Sequence, residues 1–539
     1  MRKVRLELRP TGASNDGIAR LGANRRRSRK FVAAAAIGSV ACAITAIGHL
    51  PSLAAAPAST VGVTSGVLDF TAGSGQNNNV FVSVSGATYS ITDSAAPLTA
   101  GTGCTSVSTN QVDCGSAGVT SIHIGGLDGD DTLRSSASVA SVIDGGDGND
   151  TLVGGSVADT LNGGNNNDTL DGGTGADALN GGAGTDTVTY ASRSVAITVT
   201  VNGTANDGAA SEADNVATDI ENVVGGSSND VLTGSTGNNV LTGGPGNDTL
   251  NGGGGSGVDT VDYSSAGGPV TVSLATTAQQ NTVNAGLDTI SLVANVTGSG
   301  FNDTLTGSTA ANTLSGGAGD DTLDGNTGAD QLIGNAGLDT ATYAARTTAV
   351  TASIDGVAND GVASELDNIA TDVENLTGGS AADVLTGSSG NNTINGNGGV
   401  DTVSYANATA GVTVNLAITT GQSTGGAGTD IITSTTENLT GSGFNDTLTG
   451  STAANTISGG NGDDTLDGNT GADPMNGGAG IDTVTYASRT AAVTATIDGT
   501  ANDGIASEAD NIATDVENLI GGTSNDSLTG SSANNVLTG

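Results

Sequence analysis

Across 539 residues the chain carries 55 Asp and Glu against 14 Lys and Arg, a formal net charge of −41, with 88 glycines, 2% aromatic residues and no Trp. So little large apolar material excludes a conventionally packed core despite the length, and so acidic a surface excludes nucleic acid and anionic membranes as partners. The charge is uneven: residues 1–58 hold ten Lys and Arg and two acids, or +8, whereas the remainder holds four Arg, no Lys and 53 acids, or −49.

Residues 1–58 read as an export signal. A basic stretch ending Arg25-Arg26-Arg27-Ser28-Arg29-Lys30 precedes a small apolar run, Phe31 to Gly48, and then an Ala-rich segment suited to signal peptidase, with cleavage after Ala54 or Ala58. The run is barely long enough to span a bilayer, so an uncleaved anchor is the competing reading, and no stable span is expected after processing. The arginines resemble a twin-arginine signal only loosely, which leaves the export route open between that and the general secretory one. Cys42 sits inside the run, in surroundings that make a poor lipoprotein box. An exported, extracellular chain keeps only Cys104 and Cys114, which are expected to form a short-loop disulfide.

Residues 59–124 change composition and alternate apolar with polar residues in Val80-Phe81-Val82-Ser83-Val84 and in Val119-Thr120-Ser121-Ile122-His123-Ile124. That period predicts a small β-rich N-terminal domain leading into the glycine-rich region that begins at 125. His123 is the only histidine outside the signal, and a lone His on such a strand is read as structural rather than catalytic.

The block 125–190 carries the main signal. After an imperfect unit around Asp131, residues Gly145 to Thr189 read GGDGNDTLV GGSVADTLN GGNNNDTLD GGTGADALN GGAGTDTVT. Glycines at the first, second and fourth places permit positive φ and predict a tight turn. The last three residues predict a short strand with one inward side chain. Stacked units are expected to bury a column of Leu152, Leu161, Leu170, Leu179 and Val188, and to align a column of Asp150, Asp159, Asp168, Asp177 and Asp186. Carboxylates at strand spacing, about 4.8 Å, repel by about 0.9 kcal/mol per pair in water and about 3.5 kcal/mol at an effective dielectric near 20. One buried Leu per nine residues falls far short of the cost of ordering them. A cation is therefore expected between the rows, and carboxylate with turn carbonyl oxygens suits Ca²⁺.

These units resemble the hemolysin-type, or repeats-in-toxin (RTX), calcium-binding repeats, whose GGxGxDxUx pattern builds a parallel β-roll. The resemblance implies an all-β fold, a parallel β-solenoid of nonapeptide blocks, with Ca²⁺ held between successive turns by the Asp carboxylates and turn carbonyls.

Shorter blocks repeat the unit. Block 225–263 contributes Asp230, Asp248 and Asp259; block 298–343 contributes Asp303, Asp321, Asp330 and Asp339; block 378–405 contributes Asp383 and Asp401. Block 441–486 contributes Asp446, Asp464, Asp473 and Asp482, and the segment 521–539 opens a further block with Asp526. With Asp131 and the five of the first block, these are the expected metal ligands. Asn239, Asn312, Asn392, Asn455 and Asn535 stand where Asp is expected and lack its charge, so weak or absent Ca²⁺ binding is expected there. Pro474 lacks a backbone donor and predicts a local ladder defect.

Blocks end on Tyr190, Tyr263, Tyr343, Tyr405 or Tyr486, which are expected to close the apolar column. Two kinds of β-rich connector alternate. One, at 191–224, 344–377 and 487–520, contains ANDG, SEADN or SELDN, and TDIEN or TDVEN; the other spans 264–297 and 406–440. Apolar alternation at Ile197, Val199 and Val201 predicts strands that continue or flank the roll. Glu221, Glu374, Glu437 and Glu517 fall in frame at the sixth place and read as atypical opening turns. The Asn206-Asp207-Gly208 loop and its copies at 359–361 and 502–504 have the oxygens for extra Ca²⁺ but read better as ordinary turns.

The sequence contains no HExxH, no G-x-S-x-G and no P-loop. Many RTX proteins carry a catalytic or pore-forming domain ahead of the repeats, and about 65 residues here are too few for one. The expectation is a secreted, non-enzymatic calcium-binding repeat protein that acts as an adhesive or structural scaffold, with cell-surface or matrix components as candidate partners. The alternative is the non-catalytic repeat portion of a larger secreted hydrolase or toxin, since the sequence stops in mid-pattern at Gly539. A threonine face at Thr304, Thr306, Thr447 and Thr449 is a third candidate, for ice or glycan, but its pairs are not sustained from turn to turn.

Overall fold

The computed structural model describes residues 58–539, and the export-signal reading lies almost wholly outside them. Every element among the described residues is a strand, most of them three residues long. Each three-residue strand of the repeats is the last third of a nine-residue unit, with one side chain inward and its flanks outward.

Successive units do not stack on one another. Thr151–Val153 pairs in parallel with Thr169–Asp171, and that strand pairs with Thr187–Thr189, whereas Thr160–Asn165 pairs with Ala178–Ala183 in a different sheet. The ladder period is therefore 18 residues, and the single apolar column expected from the sequence is two. Leu152, Leu170 and Val188 form one, Leu161 and Leu179 the other, and all five are fully buried. The physical reason is that one glycine turn reverses the chain once. Two turns are needed before a strand returns to its own sheet.

The N-terminal strands cap both faces of the first coil. Val67–Thr71 pairs in parallel with Ser121–Asp128, which pairs with Ser141–Asp147; Asn79–Ser85 pairs in parallel with Thr132–Ser135. The strand Ser121–Asp128 runs across the boundary read at 124. Cys104 and Cys114 face each other on an antiparallel pair and are joined by a disulfide.

The connectors splice sheets. At 191–224 an eight-stranded sheet ends on Asn215–Val216 and a six-stranded sheet starts at Ile197–Thr200, while a fifteen-stranded sheet passes through at Asn222–Val224. At 344–377 that fifteen-stranded sheet ends on Asn368–Ile369, a new one starts at Val350–Ser353, and the sheet containing Asn375–Thr377 runs through. No joint interrupts both sheets of a coil, so the apolar columns stay continuous. The defect predicted at Pro474 is one missing rung: Ile457 pairs with Met475, but Thr456 is not paired with Pro474 where the equivalent Thr313 pairs with Gln331.

Candidate metal centre

The aspartates at the sixth place are tied to one another through the backbone. The amide of Asp131 donates to Asp150 Oδ1, that of Asp150 to Asp168 Oδ1 and that of Asp168 to Asp186 Oδ1, each at 2.8 Å. The other file runs from Asp159 to Asp177, also at 2.8 Å. Later blocks repeat the chain from Asp230 to Asp248, from Asp303 through Asp321 to Asp339, from Asp383 to Asp401 and from Asp446 through Asp464 to Asp482. Asn239, Asn312 and Asn455 donate to Asp259, Asp330 and Asp473 in the same way. Asp526 accepts the amide of Val493.

Among the described residues, nine files end on an acid of the following connector. Glu221, Glu374, Glu437 and Glu517 accept the amides of Asp186, Asp339, Asp401 and Asp482 at 2.8 to 2.9 Å, so the in-frame glutamates do take the aspartate's place. Five further terminators escaped the sequence reading. Asp214, Asp288, Asp367, Asp430 and Asp510 accept the amides of Asp177, Asp248, Asp330, Asn392 and Asp473. Their second oxygens accept the hydroxyls of Tyr190, Tyr263, Tyr343, Tyr405 and Tyr486 at 3.0 to 3.1 Å. The tyrosines close the column as expected, and each also caps a carboxylate.

Three arginines, also missed, balance charge at one kind of connector. Arg193, Arg346 and Arg489 stand 3.7, 3.3 and 2.9 Å from Glu212, Glu365 and Glu508, and lie over the rings of Tyr190, Tyr343 and Tyr486. The ANDG loop is fully employed. Asp207 accepts the amides of Thr200 and Val216 on its two oxygens, and Asp360 and Asp503 do the same for Ser353 with Ile369 and for Thr496 with Ile512. These are structural turns.

Within the repeats the second carboxylate oxygen is a different matter. Fourteen Oδ2 atoms are buried without any hydrogen-bond partner: those of Asp131, Asp150, Asp168, Asp177, Asp186, Asp248, Asp321, Asp330, Asp339, Asp401, Asp464, Asp473, Asp482 and Asp526. Burial, opposed by one amide bond and reinforced by neighbouring acids, pushes Asp131, Asp168, Asp177, Asp248, Asp321 and Asp330 up to about 7. Burial likewise takes Asp150, Asp401, Asp464 and Asp473 to about 6. Without a cation these groups pay a desolvation cost that the protein does not offset. Asp159, Asp230, Asp303, Asp383 and Asp446 differ, because each takes a backbone amide from its own turn on Oδ2.

The donor set fits a hard cation. A Cβ placed on Gly145 would overlap both Asp150 Oδ2 and the carbonyl oxygen of Gly163, and one on Gly163 would overlap Asp168 Oδ2 and the Gly181 carbonyl. Carboxylate and carbonyl thus converge beside a glycine that leaves the space open. Among the described residues no three His, Cys, Asp or Glu side chains gather in one place, so any site is built from few carboxylates and backbone carbonyls. That set suits Ca²⁺ and lacks the nitrogen and sulfur ligands of a zinc centre.

His123 belongs elsewhere. Its two ring nitrogens lie 2.6 Å from Asp69 and 2.8 Å from Asp144, joining the cap to the first coil. Burial lowers its pKa, but the hydrogen bonds and charges of the two aspartates outweigh that and raise it.

Nine segments, 125–161, 153–188, 224–259, 297–332, 306–341, 373–406, 440–475, 449–484 and 514–539, match the RTX calcium-binding nonapeptide repeat (4 copies). No curated protein matches the chain. With the 18-residue coil, the glycine turns and the unpaired carboxylate rows, these matches show that the chain is built on RTX calcium-binding nonapeptide repeats, and that the ion they serve is Ca²⁺.

Proposed function

We propose that the chain is an exported, non-enzymatic calcium-binding scaffold, folding when it meets extracellular Ca²⁺ and serving as an adhesive or structural module at the cell surface or in the surrounding matrix. The observation that carries this reading is the set of fourteen buried carboxylate oxygens without a partner. The sixth-place aspartates whose Oδ2 is unpaired would hold the ion together with turn carbonyls such as that of Gly163 beside Asp150. Bound Ca²⁺ supplies two positive charges to rows whose own neighbours are acids. Where free Ca²⁺ is scarce, mutual repulsion among the carboxylates keeps the chain expanded. At the roughly millimolar levels typical of extracellular modules, the same carboxylates stack.

The repeats themselves support the wider setting. Proteins with these repeats are typically secreted, and the repeats themselves are generally non-catalytic. Among the described residues no helix is long and apolar enough to cross a membrane, a statement that does not extend to β-barrels. The scaffold role is tested on producing cells. Protein retained on the surface or in the matrix with Ca²⁺ and released by a chelator is the expected result; an unchanged distribution would remove the adhesive role.

A further inference from the structure

The sixth-place residues fall into two classes set by the backbone four residues earlier. In one class that second-place residue has positive φ: Gly146 at 116°, Gly164 at 119°, Gly173 at 80°, Gly317 at 108°, Asn326 at 62° and Gly460 at 107°, among others. The rotation turns its N–H away from the turn's own aspartate. At Gly182, Asn335 and Gly478 the amide goes instead to Asp219, Asp372 and Asp515 of the following connector. In every such nine-residue turn headed by Asp150, Asp168, Asp177, Asp321, Asp330 or Asp464, Oδ2 is left buried and unpaired.

In the other class the second-place φ is not positive and the N–H points inward. Gly155, Gly226 and Gly379 donate to Asp159, Asp230 and Asp383 Oδ2 at 2.6 Å, Ser442 donates to Asp446 Oδ2 at 2.5 Å, and Ser299 donates to Asp303 Oδ2. The asparagine turns share this backbone: Ser235, Ser308 and Ser388 donate to Asn239, Asn312 and Asn392 Oδ1 at 2.7, 2.5 and 2.8 Å. Each asparagine's Nδ2 also donates to the carbonyl 18 residues back, on Glu221, Ala294 and Glu374. A carboxylate there would set an oxygen against that carbonyl, which accounts for Asn at these places.

We infer that the chain loads Ca²⁺ only at turns whose second residue has positive φ, so that the coil opening each later block, Asp230 with Asn239, Asp303 with Asn312, Asp383 with Asn392 and Asp446 with Asn455, is a metal-free joint. An inward amide compensates part of the carboxylate charge and presents the positive end of its dipole where the ion would sit. The ion would have to displace that bond, and an unpaired Oδ2 on the next coil competes for it without such a cost. The two classes are legible in sequence. Metal-loading turns carry Gly or Asn at the fourth place, as at Gly148, Asn166, Gly319 and Gly462, whereas the closed aspartate turns carry Val157, Ser228, Phe301, Ala381 and Phe444. Asp526 stands between them, with Oδ2 unpaired but no positive φ at Gly522.

This assignment rests on the calcium-binding function proposed for the chain, and the test separates the two. Bound Ca²⁺ is counted by equilibrium dialysis on the full chain and on the variants Asp321→Asn and Asp303→Asn, one coil apart in the same file. Asp321→Asn is expected to lower the count and Asp303→Asn to leave it unchanged. Equal losses would overturn the inference while leaving calcium binding intact; an unmodified chain that binds no Ca²⁺ would overturn both. Asp303→Asn weakens the acceptor of the Val270 amide, so the double variant Ser299→Gly, Phe301→Gly provides the reciprocal arm. It is expected to gain one ion while keeping its β signal, and no gain counts against the inference.

Discussion

The five consecutive units at 145–189 and the joints at 191–224, 344–377 and 487–520 meet the same electrostatic problem in opposite ways. In the five units, Asp150, Asp168, Asp177 and Asp186 stack with one oxygen on a neighbour's amide and the other on nothing, and only Asp159 closes its second oxygen on the amide of its own turn. In the joints, the acids have protein partners. Asp510 holds a backbone amide and the Tyr486 hydroxyl, Asp503 holds two amides, and Glu508 holds Arg489 and the Ile505 amide. One residue type thus keeps an unpaired oxygen in the first setting and is a fastener in the second, and the difference lies in which donors the backbone aims at it.

The largest expected way to separate the two regions is pH, since it acts on all the rows at once. In the calcium-free chain Asp168, Asp177 and Asp321 have folded-state values raised from 3.8 to about 7 by burial. The folded state then binds the proton more tightly than the unfolded one. This contribution is fully present below about 4 and is lost as the pH rises through about 7. In chelator, circular dichroism is expected to show more β structure at acid pH than at pH 8. With Ca²⁺ the trend reverses, because protons compete with the ion. A pH profile unaffected by Ca²⁺ would mean that the rows are not where the ion acts.

Next in size is the loss of a joint's own cation. Arg489 lies 2.9 Å from Glu508 and 3.3 Å from Asp467, and is 6% exposed. Arg489→Ala leaves the buried Glu508 carboxylate without its cation and is expected to cost about 3–5 kcal/mol. Hydrogen exchange should place the loss at 487–520 even in saturating Ca²⁺. A loss rescued fully by added Ca²⁺ would erase the distinction between joint and repeat. A smaller effect is expected from Tyr343→Phe, which strips one donor from Asp367 and costs about 1–3 kcal/mol in denaturant unfolding.

How much of this was legible depended on distance along the chain. The nine-residue period, the inward Leu and the sixth-place Asp are local, and they give the strand, the turn and the aspartate rows. The 18-residue coil is not local: a nine-residue period is equally consistent with one unit per coil or two, and only the pairing of Leu152 with Leu170 decides. Asp214 and Asp288 went unread because their partners Asp177 and Asp248 lie 37 and 40 residues away across a connector. A short signal was present, since Asp288-Thr289-Ile290 keeps the repeat's acid, polar, apolar order. In TDIEN only Glu221, which ends the file at Asp186, shows its place in the repeat frame, whereas Asp219, which holds the turn amides of Gly181 and Gly182, falls outside it. Arg193 carried no motif at all, and its role appears only when Glu212 folds back onto it.

The most direct test is far-UV circular dichroism of the chain without residues 1–58, titrated with Ca²⁺ from excess chelator to about 10 mM, beyond the affinity range of extracellular modules. The account predicts a steep gain of β signal that chelator reverses, because the unpaired Oδ2 rows assemble only around divalent ions. A β signal already complete in chelator at neutral pH and unmoved by Ca²⁺ would contradict it.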